Sequence, residues 1–361
     1  MNGKKRPTIK DVARLSGLSV STVSLVINNN GYVSAETRKK VEKVIEDLAY
    51  HPTRSARGLA SKTSGNFGFI LSDDHFSQAE PFYTKIFLGT EFEARNHNYY
   101  VLLTTVGPQF KGTNDVPRFL LERNVDGIIV AGKINAKLID YIEGLGLHVV
   151  LVDYEIPRRR ISSVLIDNRA GARAAMLHLI SLGHKRIAFA GGDLGHPSIA
   201  ERFRGYKEVL EETETSFSES LAAVDETDTG IHNGYAAASR LFKHAKAPTA
   251  IFAANDAMAI GCIRYAKLNN IRIPDDLAVI GFDDIEMGSH VDPRLSTIRV
   301  FKEEMGKIAV QRLVESIGEK NRTIVTTHVP VELVIRESTR KSTKKQPGLA
   351  AKEEMHDAKT R

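Results

Sequence analysis

The hydrophobic pattern of the chain changes once, near residue 65. Between residues 8 and 50, apolar residues recur every three or four positions in three short segments, which predicts three helices. From Phe67 onward, short continuous apolar runs alternate with longer amphipathic segments. Such alternation is typical of parallel sheets covered by helices on both faces. The pattern therefore predicts a small all-α unit followed by a larger α/β body.

Polar residues mark the start of each N-terminal helix. Thr8 precedes the first apolar segment and Asp11 follows three residues later, as in a capping box. Ser19 and Ser34 are favourable N-caps for the second and third helices. The segment "NNNGY" ends the second helix, and the third is expected to run through "AETRKKVEKVIEDLAY". The predicted buried faces contain Ile9, Val12 and Ala13, then Val23, Val26 and Ile27, then Val41, Val44, Ile45 and Leu48.

The body offers seven strand candidates, several of which end in polar residues. The candidates are "FGFIL", "YYVLLTT", "VDGIIVA", "HVVLVD", "RIAFAGG", "TAIFAAND" and "LAVIGFDD". Ligands of parallel sheets bind at the carboxyl ends of strands, so these polar ends are candidates for a site lining. The alternative is that each one caps the helix that follows. The polar strand ends are Asp73, Asp153, Asn255-Asp256 and Asp283-Asp284.

The composition excludes several classes of protein. The 361 residues are 42% hydrophobic and 26% charged, which is ordinary for a globular protein that buries a core. Cys262 is the only cysteine, so an internal disulfide framework and a multi-cysteine metal site are excluded. No apolar run approaches the roughly 18 residues of a membrane span, and "MNGKKRPTIKDVARL" lacks the apolar region of a secretory signal. A cytoplasmic location without membrane association is expected.

The charge is concentrated at the N-terminus. Residues 1–62 contain twelve Lys and Arg against five Asp and Glu, a net of +7, whereas the other 299 residues contain 38 against 39. A basic module on a neutral body is the electrostatic signature of a nucleic-acid-binding protein, although a solvated basic surface would have the same composition. Helix one, a Ser-Gly turn and the Ser19-capped second helix also have helix-turn-helix spacing, in which the second helix enters the major groove.

Catalytic signatures are absent from the sequence. The segment "GGDLGHPS" is not a dinucleotide-binding glycine loop, and no G-x-S-x-G, H-E-x-x-H or P-loop motif is present. His184 and His196 have no cysteine partners and are expected at a helix end and in a loop. No catalytic residue, cofactor or metal is predicted.

The segment "TIKDVARLSGLSVSTVSLVIN…VSAETRKKVEKVIEDLAYHPTRSARGLAS" resembles the DNA-binding headpiece and hinge of the LacI/GalR family of bacterial transcription regulators. The resemblance continues through "IDNRAGARAAMLHLISLGHKRIAFAGG", "FAANDAMAIG" and "IPDDLAVIGFDD", and covers about residues 7 to 338. It implies a headpiece at 1–51, a hinge helix at 52–64 and a body at 65–338 made of two Rossmann-like subdomains, like the periplasmic sugar-binding proteins. Subdomain one would take about 65–166 and 296–324, and subdomain two about 167–295 and 325–338. The polar residues 339–361 are expected to be a disordered tail.

The resemblance also implies which residues contact DNA. Val20, Ser21 and Leu25 match the groove-facing specificity positions, and Leu59 matches a leucine that wedges into the minor groove. Arg57 lies in the same hinge segment. The positions that hold the DNA backbone are matched by Thr8, Ser19, Thr22, Ser24, Asn28 and Ser34.

For a small-molecule effector, the resemblance points to a site between the subdomains. Arg202 would offer a planar fork, and Asp283 and Asn255 would exchange hydrogen bonds with a polyol. Arg202 and Asp283 are also expected to pair with each other when the cleft is empty. The implied effector residues are Asp73, Phe82, Arg202, Asn255 and Asp283.

Two residues depart from the family pattern. Leu25 stands where many members carry Arg or His, so its readout would be apolar, for example against a thymine methyl group. Thr229 lies near a position where several members place an aromatic residue against the ligand. The identity of the effector is therefore not implied.

The expected function is a homodimeric repressor that binds a pseudo-palindromic double-stranded operator and is switched by a sugar or related metabolite. A phosphoprotein partner could replace the small molecule. The alternative from another class is a cytoplasmic solute-binding or sensing protein without specific DNA binding.

Overall fold

The computed structural model describes residues 7–27, 31–50, 63–73, 82–107, 109–213, 215, 217–226, 228–244, 246–318 and 323–340. The predicted hinge residues Arg57 and Leu59, and Asn28 at the end of the second helix, lie outside the described residues.

Helices and strands follow one another along the chain in the order that the sequence pattern predicts. The helices are α1 (Ile9–Ser16), α2 (Val20–Ile27), α3 (Ala35–Asp47), α4 (Phe82–Asn96), α5 (Arg118–Leu121), α6 (Ala136–Gly144), α7 (Asn168–Ser181), α8 (Pro197–Glu212), α9 (Ile231–Leu241), α10 (Asp256–Leu268), α11 (Glu286–His290) and α12 (Lys302–Gly318). The strands are β1 (Asn66–Ser72), β2 (Tyr100–Val106), β3 (Gly127–Ala131), β4 (His148–Val152), β5 (Ser162–Ile166), β6 (Ile187–Gly192), β7 (Ala222–Glu226), β8 (Ala250–Ala253), β9 (Ala278–Ile280), β10 (Thr297–Val300), β11 (Thr326–Val329) and β12 (Val331–Val334).

The three N-terminal helices are capped as predicted. The Thr8 amide and hydroxyl both donate to Asp11 Oδ2, at 3.0 and 2.7 Å. Ser19 Oγ accepts from the Thr22 amide at 3.0 Å in α2, and Ser34 Oγ accepts from the Thr37 amide at 3.2 Å in α3. Helix α3 ends at Asp47, three residues before the end of the predicted segment, where the backbone turns left-handed at Ala49 (φ 46°). The small core consists of Val12, Ala13, Val23, Val26, Val41 and Tyr50.

The first sheet of the body has six strands in the order β11-β5-β4-β3-β1-β2, and every neighbouring pair is parallel. Strand β11 belongs to this sheet because Thr326–Val329 pairs in register with β5. The sequence had assigned 325–338 to the second subdomain, so that assignment is wrong for β11. Strand β5, "SSVLI", was not among the predicted strands.

The second sheet has four parallel strands in the order β7-β6-β8-β9. Strands β10 and β12 form a separate antiparallel pair. The β10 segment lies next to the end of β9, because isolated bridges join Ile280 to Ser296 and Asp283 to Arg299. The seven predicted strands are all present, and the parallel two-sheet architecture is confirmed.

Each sheet is covered by a helix pair that crosses at glycine. A Cβ atom on Gly306 of α12 would lie 2.0 Å from the Ile86 carbonyl oxygen of α4, and one on Gly234 of α9 would lie 2.1 Å from the Met258 carbonyl oxygen of α10. Only a residue without Cβ allows these backbones to approach so closely. These crossings fix the helices that carry Phe82 and Lys302, and the helix α10 that Asn255 caps.

The C-terminal boundary of the body is later than predicted. Thr339 is buried, and its hydroxyl lies 2.7 Å from Ser296 Oγ and 2.9 Å from His178 Nε2. Thr339 is thus part of the body and not of the predicted disordered tail, because its hydroxyl group hydrogen-bonds to side chains of β10's neighbour Ser296 and of α7. Residues 341–361 of the predicted tail lie outside the described residues. Within the described part of the chain, no helix is long and apolar enough to span a membrane.

Candidate functional site

Helix α2 has one buried face and one exposed face. Val23 and Val26 are buried in the small core, while Ser21 is exposed and the apolar side chains of Val20 and Leu25 are 42% and 40% exposed. Neither Val20 nor Leu25 belongs to the core cluster. Two apolar residues left in solvent beside a serine make a surface that can contact the edges and methyl groups of DNA bases.

The hydroxyl-bearing residues lie at helix N-termini. Ser19 Oγ lies 2.7 Å from Ser21 Oγ and 2.8 Å from Thr22 Oγ1, while its oxygen also caps α2. Thr8 and Ser34 are exposed at the starts of α1 and α3. Free amides and the helix dipole favour anions at such positions, so a phosphate can be bound there. Ser24 is half-buried on α2.

Arg202 is the centre of a polar cluster between the two sheets. This side chain of α8 is 5% exposed, and its guanidinium donates to Asn168 Oδ1 at 2.8 Å, to the Ala254 carbonyl at 2.6 Å and to Asp283 Oδ1 at 3.4 Å. The guanidinium also lies 3.7 Å from the centre of the Phe282 ring. Three acceptors and an aromatic face hold the planar fork in one orientation. The expected pairing of Arg202 with Asp283 is present.

Asp283 is buried beside this cation. Burial raises the pKa of its carboxyl, and the charges of Arg202 and Lys302 oppose that rise. Its backbone is in the left-handed region, with φ 109°. A non-glycine residue adopts such a conformation only where its surroundings hold it there, and such residues are concentrated at functional sites.

Asp153 connects the two subdomains. One of its carboxylate oxygens accepts from the Tyr83 hydroxyl at 2.9 Å and the other from the Ser198 hydroxyl of α8 at 3.0 Å. Burial and the neighbouring Asp153 charge raise the pKa of Tyr83 well above its usual value, so its hydroxyl stays protonated and donates. The sequence marked Asp153 as a polar strand end but did not assign it to the effector site. No pattern in the sequence marked Tyr83, Ser198 or Asn168 as a site residue.

The other predicted effector residues are linked less directly to the cluster around Arg202. Asn255 follows Ala254, a partner of Arg202, but its side-chain oxygen caps α10 by accepting from the Met258 amide at 2.8 Å. Phe82 is half-buried, and its ring lies 5.7 Å from Lys302 Nζ. Asp73 is exposed at the end of β1, and no described contact connects it to Arg202.

Two further residues lie near the end of β6: His196 follows it in the chain, and Thr229 is close to Gly192. His196 lies in the bend before α8, as expected for a loop residue, and is the N-cap residue of that helix; its Nδ1 atom is buried with no hydrogen-bond partner among the described residues. Burial lowers the pKa of this imidazole, which favours the neutral ring. Thr229 packs against Gly192 at the end of β6, where a Cβ would lie 2.7 Å from its methyl group. Among the described residues, no cluster of three or more His, Cys, Asp or Glu is arranged to hold a metal.

The sequence matches known families in both regions that carry these sites. Residues 8–53 match the family described as bacterial regulatory proteins, lacI family, and residues 176–339 match the periplasmic binding protein-like domain. The HTH-type transcriptional repressor PurR of Vibrio atlanticus is 31% identical over 92% of this chain and 98% of its own length. The chain belongs to the lacI family.

Another relative and a solved structure of the family extend the likeness over the same length. The ribose operon repressor of Haemophilus influenzae is 30% identical over 92% of this chain and 98% of its own. The crystal structure of the lac repressor dimer bound to operator and the anti-inducer ONPF is 29% identical, with a TM-score of 0.78 over 93% of this chain and 99% of that one. This lacI-family chain therefore shares the whole architecture of its relatives, headpiece and body included.

Proposed function

We propose that this chain is a transcriptional repressor that binds a specific operator through α2 and is switched by a small molecule between its subdomains. The exposed apolar pair Val20 and Leu25 is the observation that best supports the DNA-binding part, because solvent exposure of both costs free energy that a base contact recovers. The net charge of +7 in residues 1–62 supports it independently, since lysines and arginines that neutralise phosphates dominate operator affinity.

The DNA-binding proposal is tested by operator selection with the purified full chain. Random double-stranded DNA is enriched by binding, and we expect a pseudo-palindrome whose affinity falls steeply as salt increases. Ser21→Glu should abolish binding, because it places a carboxylate on the exposed face of α2 where bases and phosphates approach. Ser181→Glu, at the exposed end of α7, is the matched control and should leave binding unchanged. Equal, sequence-independent binding by both variants would contradict the proposal.

The effector would lie beside Arg202, Asp283 and Asn255, with Phe82 and Asp73 on the first subdomain. The fixed guanidinium fork and the carboxylates of Asp283 and Asp153 suit a ligand with several hydroxyl groups. Asp153 bonds to residues of both subdomains, so a ligand that changes these bonds changes the angle between the sheets. A coupling of about 1–3 kcal/mol between cleft and headpiece would be enough for regulation.

The effector proposal is tested by thermal-shift screening of the full chain against sugars, nucleobases and phosphorylated metabolites. A ligand at about 100 times its Kd should stabilise the folded state by about 2.7 kcal/mol. The compound that raises the Tm should lose this effect with Arg202→Lys, which cannot present a planar fork, and should alter operator affinity. A chain stabilised by none of the compounds would instead favour a protein partner.

We also propose a homodimer, formed in part by α4 and the edge strand β2. These two elements expose four large apolar side chains: Leu88 (37%), Phe92 (55%), Tyr100 (60%) and Leu103 (39%). Phe92→Glu should shift the sedimentation of the chain from dimer to monomer and weaken binding to the full palindrome more than to a half-site. A dimer that persists in this variant would place the interface elsewhere.

The competing function, a solute sensor without specific DNA binding, predicts no enriched operator and no effect of Ser21→Glu. A repressor of chromosomal genes would act in the bacterial cytoplasm, as its DNA target requires. No catalytic role is proposed, since the family relatives named above are repressors.

A further inference from the structure

Lys302 occupies an unfavourable position for a lysine. It is the first residue of α12 and is only 8% exposed. A cation at a helix N-terminus faces the positive end of the helix dipole, and burial of an ammonium group costs further free energy. Burial lowers the pKa of Lys302, while the carboxylates of Asp283, Asp256 and Asp284 oppose that fall. Some interaction made by this side chain must offset these costs.

The ammonium group connects the two sides of the cleft. Lys302 Nζ donates to the backbone carbonyl of Asp283 and lies 5.7 Å from the centre of the Phe82 ring. Among the described residues it forms no ion pair within 4 Å of a carboxylate. Its hydrogen bond is thus made to the main chain of Asp283, and its charge acts on the Asp283 carboxyl group through space.

The main chain at Asp283 needs support from its surroundings. With φ 109°, Asp283 is in a conformation that costs a non-glycine residue free energy. Its amide donates to the Ile298 carbonyl at 2.7 Å, and its carbonyl accepts from Lys302. Both backbone polar groups of Asp283 are therefore hydrogen-bonded, the amide to β10 and the carbonyl to Lys302. The side chain then points its carboxylate at Arg202.

We propose that Lys302 is a positioning residue for the effector site: it holds Asp283 in its strained backbone conformation and places a positive charge near the Asp283 carboxyl group. The proposal rests on the proposed effector function of Asp283. The other charged and titratable groups that face this carboxyl are Arg202, Asp153, Asp256 and Tyr83. Lys302 is the cation among them contributed by the first subdomain, so it makes the state of Asp283 depend on the placement of α12.

The test uses the full chain with ¹³C-labelled aspartate, without any ligand. The Asp283 carboxyl resonance is assigned by its loss in Asp283→Asn and then titrated with pH. Lys302→Met removes the charge and the hydrogen bond while keeping the apolar stem, and it should raise the Asp283 midpoint by about one pH unit. Amide hydrogen exchange at 283–284 should become about tenfold faster in the same variant. Lys85→Met is the matched control, because Lys85 is an exposed lysine of α4 that pairs with Glu303, the residue after Lys302 on α12. This variant should change neither readout.

A second variant separates the two roles and covers a folding failure of the first. Lys302→Gln keeps a donor but no charge, so it should raise the Asp283 midpoint with a smaller change in amide exchange. An unchanged midpoint in whichever of the two variants folds would overturn the proposal, because a residue needed only for packing would not alter this titration. Neither readout requires an effector or an operator, so failure of the proposed function would appear in the screening experiments and not here.

Discussion

Replacing Leu25 by arginine should change which operator the chain prefers while leaving its stability almost unaltered. Leu25 is 40% exposed and lies outside the small core, whereas Val23, two residues earlier on the same helix, is completely buried. The aliphatic stem of arginine can replace most of the leucine contacts, so the free energy of unfolding should change by less than about 1 kcal/mol. Val23→Ala should cost about 2 kcal/mol because it leaves a cavity in this small core.

The effect on recognition should be larger and specific to one position. Leucine can contact a thymine methyl group but cannot hydrogen-bond to a base, whereas arginine can donate twice to guanine. A bidentate contact is worth about 1–3 kcal/mol, so the preference between thymine and guanine at one operator position should change by about ten- to hundredfold. Alanine, which has a shorter apolar side chain than leucine and no donor, is the control: Leu25→Ala should weaken the thymine preference without creating one for guanine.

The measurement is operator selection from a randomised library for wild type, Leu25→Arg and Leu25→Ala, with thermal denaturation of these three proteins and of Val23→Ala. An identical preferred sequence for wild type and Leu25→Arg would refute the placement of Leu25 against the bases. A loss of stability as large as that of Val23→Ala would refute the structural reasoning, since it would show that Leu25 contributes to the core.

Three other predictions concern the body. Gly306→Ala should destabilise the body by about 3 kcal/mol in denaturant unfolding, because its Cβ would lie 2.0 Å from a backbone oxygen, whereas Gly318→Ala, with nothing within 4 Å of the added atom, should be neutral or slightly stabilising. Burial raises the pKa of Asp256 well above that of an unfolded aspartate, so the folded state binds this proton more tightly. The free energy of unfolding should therefore fall as the pH rises from about 4 through the pKa of the folded state. In Asp256→Asn this decline should be smaller, as measured by urea unfolding at pH 4 to 8. Arg202→Met should cost about 3–5 kcal/mol because it removes the ion-pair partner of the buried Asp283, and adding Asp283→Asn should recover much of that loss in a double-mutant cycle.

The N-terminal helices could be predicted closely because their signals are local. The hydrogen bonds that begin α1, α2 and α3 join residues three positions apart, so Thr8, Ser19 and Ser34 mark the helix starts by residue type alone. The exposure of Leu25 and burial of Val23 follow from the helical period in the same way. The apolar runs that form β1, β3, β6 and β8 are buried on both faces, so they can be recognised in the sequence as continuous hydrophobic segments.

The placement of β11 and the completion of the effector site required the tertiary structure. Strand β11, "TTHV", is polar and half-exposed, and it joins the first sheet through β5, whose Ser163 lies 163 residues before Thr326. The resemblance to a known family indicated Arg202 and Asp283, but Lys302 gave no sequence signal. Local periodicity records only which face of an element is buried, whereas these contacts depend on which strand ends the chain crossovers bring together. The sequence therefore determined the helices, most strands and the charge of the headpiece, and only the packing of two sheets around α8 and α12 decided which polar groups meet in the cleft.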